Sequence, residues 1–402
     1  MTASQLTINH ARVAARTPIE LAMLLFRDAS AGIQAAPTFA ACFDLALASM
    51  EFSTATGMDH PALPWFRQGM DLLRGAKHVE PWLYGGAAHA GWTAVQLSQG
   101  YGLDVSGLTA FDELILGWIE HYPADRTVDL PMGLLGLGVY GLIHPVAATR
   151  EKFTGAVLDM IEQRAERAEG GLFLRSAPAR AAEHPAASMV SHCDLGVAHG
   201  NAGLVSYLAS VVLAGSGSAV RAESMLRASV GWLLRQRIDR DGSVFPQAVE
   251  SRYVPARSAW CYGDPGIALA LAVAARATGF ADVAGTAREA AVAAIDREPA
   301  MARVTDPCLC HGAAGLVWFG RRAGSDFALH NVESYTDHWF GYLRDTRAEG
   351  NLRYLAPGGL RQDSSFLEGD LGVALSCLYL AKGGSPEWQQ RLLAVPVGAP
   401  EK

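Results

Sequence analysis

One short pattern limits what this chain can fold into. A Gly-x-x-Gly step recurs along its 402 residues, each time just ahead of an apolar run. It occurs at Gly133-Leu-Leu-Gly136, Gly200-Asn-Ala-Gly203, Gly263-Asp-Pro-Gly266, Gly312-Ala-Ala-Gly315 and Gly369-Asp-Leu-Gly372. Successive steps lie on the order of 50–70 residues apart, room for two helices and their loops, and such recurrence marks a repeat architecture. A degenerate earlier copy begins at Gly86, with His89 in the second glycine's place. Glycine lets the chain turn sharply and lets backbone approach backbone at the mouth of a helix. The helix that follows points its free N–H groups back toward the step. If every inner helix starts at the same end, that end becomes a ring of tight turns around a central site.

The rest of the chain reads as helix. Val and Ile never form a regular series of alternating strand-like runs. Helical spacing and good helix formers run over 18–25, 39–50, 110–121, 219–237 and 289–295. The runs 267–275 and 373–381 are apolar nearly all round, which demands burial on every side. Two populations of helix follow, one drier and one wetter. The expected fold is all-α in a single domain over residues 1–402. Residues 1–60 are helical in pattern but lack the step, and are expected as an N-terminal cap on a barrel or an extension. Residues 176–188, 321–337 and 345–365 read as irregular connections.

Composition narrows the function classes. Half the residues are hydrophobic and 18% are charged, which excludes a disordered chain. A net charge of −7 argues against a general nucleic-acid binder. The six cysteines do not make a disulfide lattice. The first residues lack the basic start and apolar core of a secretory signal. The least charged stretch, 130–149, has the length of a membrane span but is broken by glycines, prolines and His144, so it reads as buried. The expected location is the cytoplasm, where reduced thiols remain available for a metal.

The chemistry gathers beside the steps. Cys261 stands in Trp-Cys-Tyr-Gly-Asp-Pro-Gly, and Cys310-His311 in Cys-Leu-Cys-His-Gly-Ala-Ala-Gly. Two thiolates and an imidazole make a zinc set that leaves the fourth tetrahedral position open. The competing reading is buried thiols and a core histidine. Equivalent placement before two steps favours the metal. Cys308 reads as packing, Cys42 and Cys377 as structural, and Cys193 is ambiguous. His199 precedes Gly200 as His311 precedes Gly312. It suits either proton transfer or a structural role. Asp129, ahead of Gly133, could orient an imidazole, accept a proton or cap a helix. Arg257, ahead of Cys261, could be a surface charge or stabilise negative charge developing beside the metal.

These segments resemble the lanthionine synthetase C-like proteins, specifically the stand-alone cyclases of lanthipeptide biosynthesis. The resemblance rests on Ala-His-Gly-Asn-Ala-Gly at 198–203, the run from Arg257 to Gly266, Leu-Cys-His-Gly-Ala-Ala-Gly at 309–315 and Phe-Leu-Glu-Gly-Asp-Leu-Gly at 366–372. It implies an α/α toroid, a double-layer helical barrel, with zinc held by Cys261, Cys310 and His311. It also implies catalytic roles for His199, Asp129 and Arg257. The implied reaction adds peptide Cys thiols to dehydroalanine or dehydrobutyrine and closes lanthionine or methyllanthionine rings. The implied partner is a dehydrated precursor peptide with its leader, in a complex with a dehydratase that would also supply any membrane association. A prenyltransferase-like zinc-dependent thiol alkylation is the rival, with a noncatalytic thiol- or peptide-binding member of the same family beside it. A zinc hydrolase is disfavoured, because two protein thiolates make zinc electron-rich.

Overall fold

A computed structural model describes residues 15–102, 104, 106–176, 193–249, 253, 255–384 and 386–398. The connection expected over 176–188 lies, beyond Ser176, outside the described residues. Helices dominate: α1 (Pro18–Ala35), α2 (Phe39–Thr56), α3 (Ala62–Arg74), α4 (Ala87–Tyr101), α5 (Thr109–Glu120), α6 (Leu134–Ile143) and α7 (Ala147–Arg164). They continue as α8 (Asn201–Ala214), α9 (Ala219–Leu234), α10 (Asp264–Thr278), α11 (Ala281–Asp296), α12 (Ala313–Asp326), α13 (Val332–Glu349) and α14 (Asp370–Lys382). The strands among the described residues form short antiparallel pairs, β1 (Glu166–Ala168) with β2 (Gly171–Phe173), β3 (Cys193–Asp194) with β4 (Ala248–Val249), and β5 (Tyr354–Ala356) with β6 (Gly359–Arg361).

The two helix populations become two layers, except that 39–50, read with the wetter helices, forms the inner helix α2. In α6 every residue from Leu134 to Ile143 is buried, and in α8 every residue from Asn201 to Val211. In α1 only Leu21, Ala22, Leu25, Phe26, Ala29 and Ile33 are buried, the single stripe of a helix with one wet face. The inner layer runs α2, α4, α6, α8, α10, α12, α14, each packed on the next, and α14 returns to α2. Outer helices lie against it, α3 on α2, α7 on α6, α9 on α8, α11 on α10, α13 on α12 and α1 on α14. The fold is an all-α toroid.

The N-terminal helices differ from the expected cap or extension. Instead α2 is an inner member of the ring, and α1 covers the seam where α14 meets α2. Thr38 caps α2 by accepting the Ala41 N–H, so this inner helix starts on a side-chain cap rather than a glycine step. Two expected connections also shorten. Helix α12 runs on to Asp326 and α13 begins at Val332, while α13 continues to Glu349 and the short strands β5 and β6 lie within 345–365. No helix is long and apolar enough to cross a membrane among the described residues. The uncharged stretch 130–149 holds the buried α6.

The glycine steps have a steric cause. A Cβ on Gly312 would overlap the Asp306 carbonyl oxygen, and one on Gly315 the Leu309 carbonyl oxygen. The same relation holds at Gly200 with Asp194 and at Gly203 with Val197. Each step thus lays the start of an inner helix directly on the backbone of the loop that feeds it. Gly263 adds a conformational need, since its φ of +123° lies where side chains are strained. Replacing Gly315 with Ala is expected to destabilise the fold by about 1–3 kcal/mol, because the obstacle is backbone and cannot rotate away. Gly285 on the exposed side of α11 meets nothing within 4 Å, and Gly285→Ala is expected to stabilise by up to ~1 kcal/mol. Urea unfolding of the two variants reads both signs.

Candidate functional site

Consecutive steps are tied to one another through their backbones. Leu130 N–H donates to the Ala198 carbonyl at 2.9 Å, Ala198 N–H to Cys261 at 3.4 Å, Cys261 N–H to Cys310 at 3.3 Å and Cys310 N–H to Leu367 at 2.9 Å. Each partner stands just before its own glycine step, so this belt gathers the N-termini of α6, α8, α10, α12 and α14 at one end of the ring. His199, Cys261, Cys310 and His311 sit on the belt or next to it, from three different repeats. One surface cleft is lined by Arg276, Arg321 and Gly383, at the C-terminal ends of inner helices, and lies away from this chemistry.

One ligand atom each from Cys261, Cys310 and His311 lies within 4.8 Å of the others, a set that could hold a metal ion. Hydrogen bonds from the Cys310 thiol and from His311, with the Arg257 charge nearby, pull the Cys261 thiol well below its ordinary pKa in spite of burial. The Cys310 thiol moves the other way, held protonated by its hydrogen bond to Cys261 and by burial. Burial opposes the charged His311 ring, and the hydrogen bond to Cys261 outweighs it and raises the ring's pKa. Two cysteine sulfurs and an imidazole drawn together on one point are a donor set that zinc takes, with both sulfurs as thiolates once a metal is held.

A second group, Asp306, Cys308 and His311, is equally compact. Its carboxylate is committed elsewhere. One Asp306 oxygen accepts the Cys308 N–H at 2.7 Å and the other the Leu355 N–H at 2.6 Å. Burial drives the Cys308 thiol far up, and its sulfur accepts the His311 N–H at 3.5 Å. Asp306 and Cys308 shape the turn that presents Cys310 and His311. The remaining cysteines are buried in helices or strands, Cys42 in α2, Cys377 in α14 and Cys193 on β3 opposite Val249.

His199 and Asp129 meet across two repeats. The His199 Nδ1 lies 2.7 Å from Asp129 Oδ2, and the carboxylate is fully buried. The other Asp129 oxygen accepts the Met132 N–H at 3.0 Å. An ionised carboxylate only accepts, so Nδ1 carries the proton and Nε2 is left as the variable position of the ring. Tyr262 stacks on His199 with ring centres 5.9 Å apart. Its significance was legible only as part of the Trp-Cys-Tyr-Gly run, since nothing in sequence alone brings residue 262 to residue 199.

Arg257 is half-buried, and among the described residues its side chain makes no hydrogen bond or ion pair. Its neighbours are fixed. The buried Arg297 donates to the Ala256 carbonyl and to Ser258 Oγ, and pairs with Asp264 at 2.8 Å. Arg257 therefore projects from a clamped segment, close enough for its charge to be felt at Cys261 and His311.

Comparison with known proteins agrees with this architecture. The structure of nisin cyclase superposes on the chain with a TM-score of 0.68 at 18% identity, covering 88% of this chain and 90% of that one. Among curated proteins none matches in sequence. The family described as lanthionine synthetase C-like protein matches residues 82–393, a span that contains every step and every candidate site residue. The chain belongs to the lanthionine synthetase C-like family.

Proposed function

We propose that this protein is a zinc-dependent lanthipeptide cyclase. It would add Cys thiols of a dehydrated precursor peptide to dehydroalanine or dehydrobutyrine and so close thioether rings. The observation that carries this reading is the pairing of two sites on one rim. A Cys261–Cys310–His311 donor set lies within 4.8 Å, and a His199–Asp129 pair is joined to it through Tyr262. The first suits a soft metal, the second suits proton transfer, and thiol addition to an alkene needs both. We further propose that it works in the cytoplasm on a leader-bearing precursor, alongside a dehydratase.

Cys261, Cys310 and His311 would hold the ion and leave one position for the substrate. The chemistry supplied by the bound ion is a lowered pKa for an incoming thiol. Asp129 is buried and committed to His199 and Met132, so its part is to fix the tautomer and orientation of the imidazole. The Nε2 of His199 is then the atom that carries a proton. The substrate sulfur forms a bond to the alkene β-carbon, and the π pair moves toward the carbonyl as enolate charge. Arg257 would stabilise that charge. Nε2 of His199 would take up the proton that the thiol loses and then deliver a proton to the α-carbon. The thiol loses one proton and the α-carbon gains one, so the ring closes without change of mass.

The direct test incubates the protein with a dehydrated precursor and follows free thiol by alkylation and mass spectrometry. Loss of alkylatable Cys with a crosslink located by fragmentation supports the reading, and full alkylation under saturating zinc overturns it. The purified protein is expected to hold about one equivalent of zinc. Cys261→Ala and Cys310→Ala are each expected to lose most of it while circular dichroism stays helical. Wild-type zinc content in both would remove the ligand assignment.

The roles of the pair separate in kinetics. His199→Ala is expected to slow cyclisation ~10²–10⁴-fold with zinc retained. Asp129→Asn, which can favour the wrong tautomer, is expected to lower kcat with little change in KM. Initial rates across pH, with zinc measured in parallel, decide whether both act on the proton rather than on the metal.

A further inference from the structure

The C-terminal segment among the described residues meets several inner helices at once. Residues 386–398 turn back onto the inner layer, with a 3-10 helix over Glu387–Leu392, and Arg391 through Val397 are buried. Inner-layer groups hold this segment from several directions. The Glu51 carboxylate of α2 accepts the Glu387 N–H, and Arg322 of α12 donates to the Gln389 side chain. Ser206 of α8 donates to the Leu393 carbonyl, and Ser210 accepts the Val397 N–H. Trp388 packs against Trp318 of α12 and Tyr379 of α14.

Two adjacent residues of this segment reach both thiol-bearing turns, Leu392 by a direct bond to Trp260 and Arg391 through the Phe366–Leu367 loop that holds Cys310. The Leu392 carbonyl accepts the indole N–H of Trp260 at 2.9 Å, and Trp260 directly precedes Cys261. The Arg391 guanidinium lies 4.7 Å from the Tyr84 ring and 4.8 Å from the Phe366 ring. Phe366 directly precedes Leu367, whose carbonyl receives the Cys310 N–H. The Tyr84 hydroxyl donates to the Arg391 carbonyl at 2.7 Å. Arg391 is itself pinned, 1% exposed, with its NH1 donating to Asp44 at 2.9 Å. Asp44 also lies 3.1 Å from His89 Nε2, and His89 Nδ1 accepts the Gly85 N–H. His89, the histidine that breaks the first glycine step, thus belongs to the support of Arg391.

We propose that the buried dipeptide Arg391-Leu392 positions the two thiol-bearing turns at Cys261 and Cys310, making the C-terminal segment part of the metal centre's scaffold. The dipeptide is one rigid reference for two turns from different repeats, and it sits where neither turn can shift without breaking a buried contact. Neither residue touches a reacting atom. They act through Trp260 on one side and Phe366–Leu367 on the other.

The proposal rests on the metal site above and is tested on the full chain. The variants are Trp260→Phe, which deletes the bond to Leu392, and Asp44→Asn with Arg391→Met, which removes both buried charges together. The readouts are zinc affinity by chelator competition, the absorption spectrum with Co²⁺ in place of zinc, and helicity by circular dichroism. Both variants are expected to stay helical, to lose about 10–100-fold in zinc affinity and to show an altered Co²⁺ thiolate band. Trp92→Phe is the packing control, the same truncation at a buried indole whose N–H has no partner among the described residues. It is expected to bind like wild type. Wild-type affinity and spectrum in a folded Trp260→Phe or double variant would overturn the proposal, as would an equal loss in Trp92→Phe. Should the double variant fail to fold, Trp260→Phe decides alone. A wild-type protein that binds no zinc would instead overturn the metal site itself.

Discussion

The belt of backbone hydrogen bonds from Leu130 through Ala198, Cys261 and Cys310 to Leu367 is what the rest of the structure depends on. The candidate metal ligands come from two repeats and the proton-transfer pair from two others. No single helix could bring them together. Each glycine step removes the side chain that would keep an inner helix off its feeding loop, and the loop's exposed amide then bonds to the next loop. A ring of repeats thereby becomes a ring of fixed spacing at one end, while the far end is free to vary.

Electrostatics works with that geometry. The inner helices present their N-termini to the rim, and the partial positive charge there favours thiolate and carboxylate. Full charges are placed sparingly. Asp264 is completely buried at the start of α10, where burial raises its pKa above the ordinary carboxyl value against the opposing pull of Arg297. Its oxygens also accept from Ser243 and the Val244 and Phe245 amides. Breaking such a satisfied network leaves a buried charge unpaired, a loss of about 3–5 kcal/mol. The network's place beside Arg257 means that stability and the orientation of a candidate catalytic cation are drawn from the same contacts.

Much of this was legible in sequence for a physical reason. A glycine that must touch backbone cannot be replaced quietly, so the steps stand out, and the Cys and His residues stand at fixed positions relative to them. The inner helices α10 and α14 were legible because burial on all sides and burial on one stripe are different patterns, whereas 39–50, with its polar residues, read as a wetter helix. What escaped is what has no local signature. Helix α2 begins on Thr38 rather than on a step, so its place in the ring could not be read from the repeat. Tyr262 meets His199 only after the belt forms. Arg391 carries no local sign of burial, and residues that contact it, Asp44, Tyr84 and Phe366, lie elsewhere along the chain.

The closure of the ring has a consequence for how the molecule is made. Helix α1 packs on α14, and the Asp44–Arg391 contact spans 347 positions of sequence. At ribosomal rates of ~5–20 residues per second, α2 would wait on the order of tens of seconds for the partner of its buried aspartate. Open solenoids can settle repeat by repeat as they emerge. Here the first inner helix, which buries Cys42 through Ser49 as an unbroken run, has an inner-layer neighbour on one flank only until the last one arrives. Until α14 is made the nascent chain is therefore an open ring with an unsealed wall, and its demand for protection from aggregation lasts until that helix arrives.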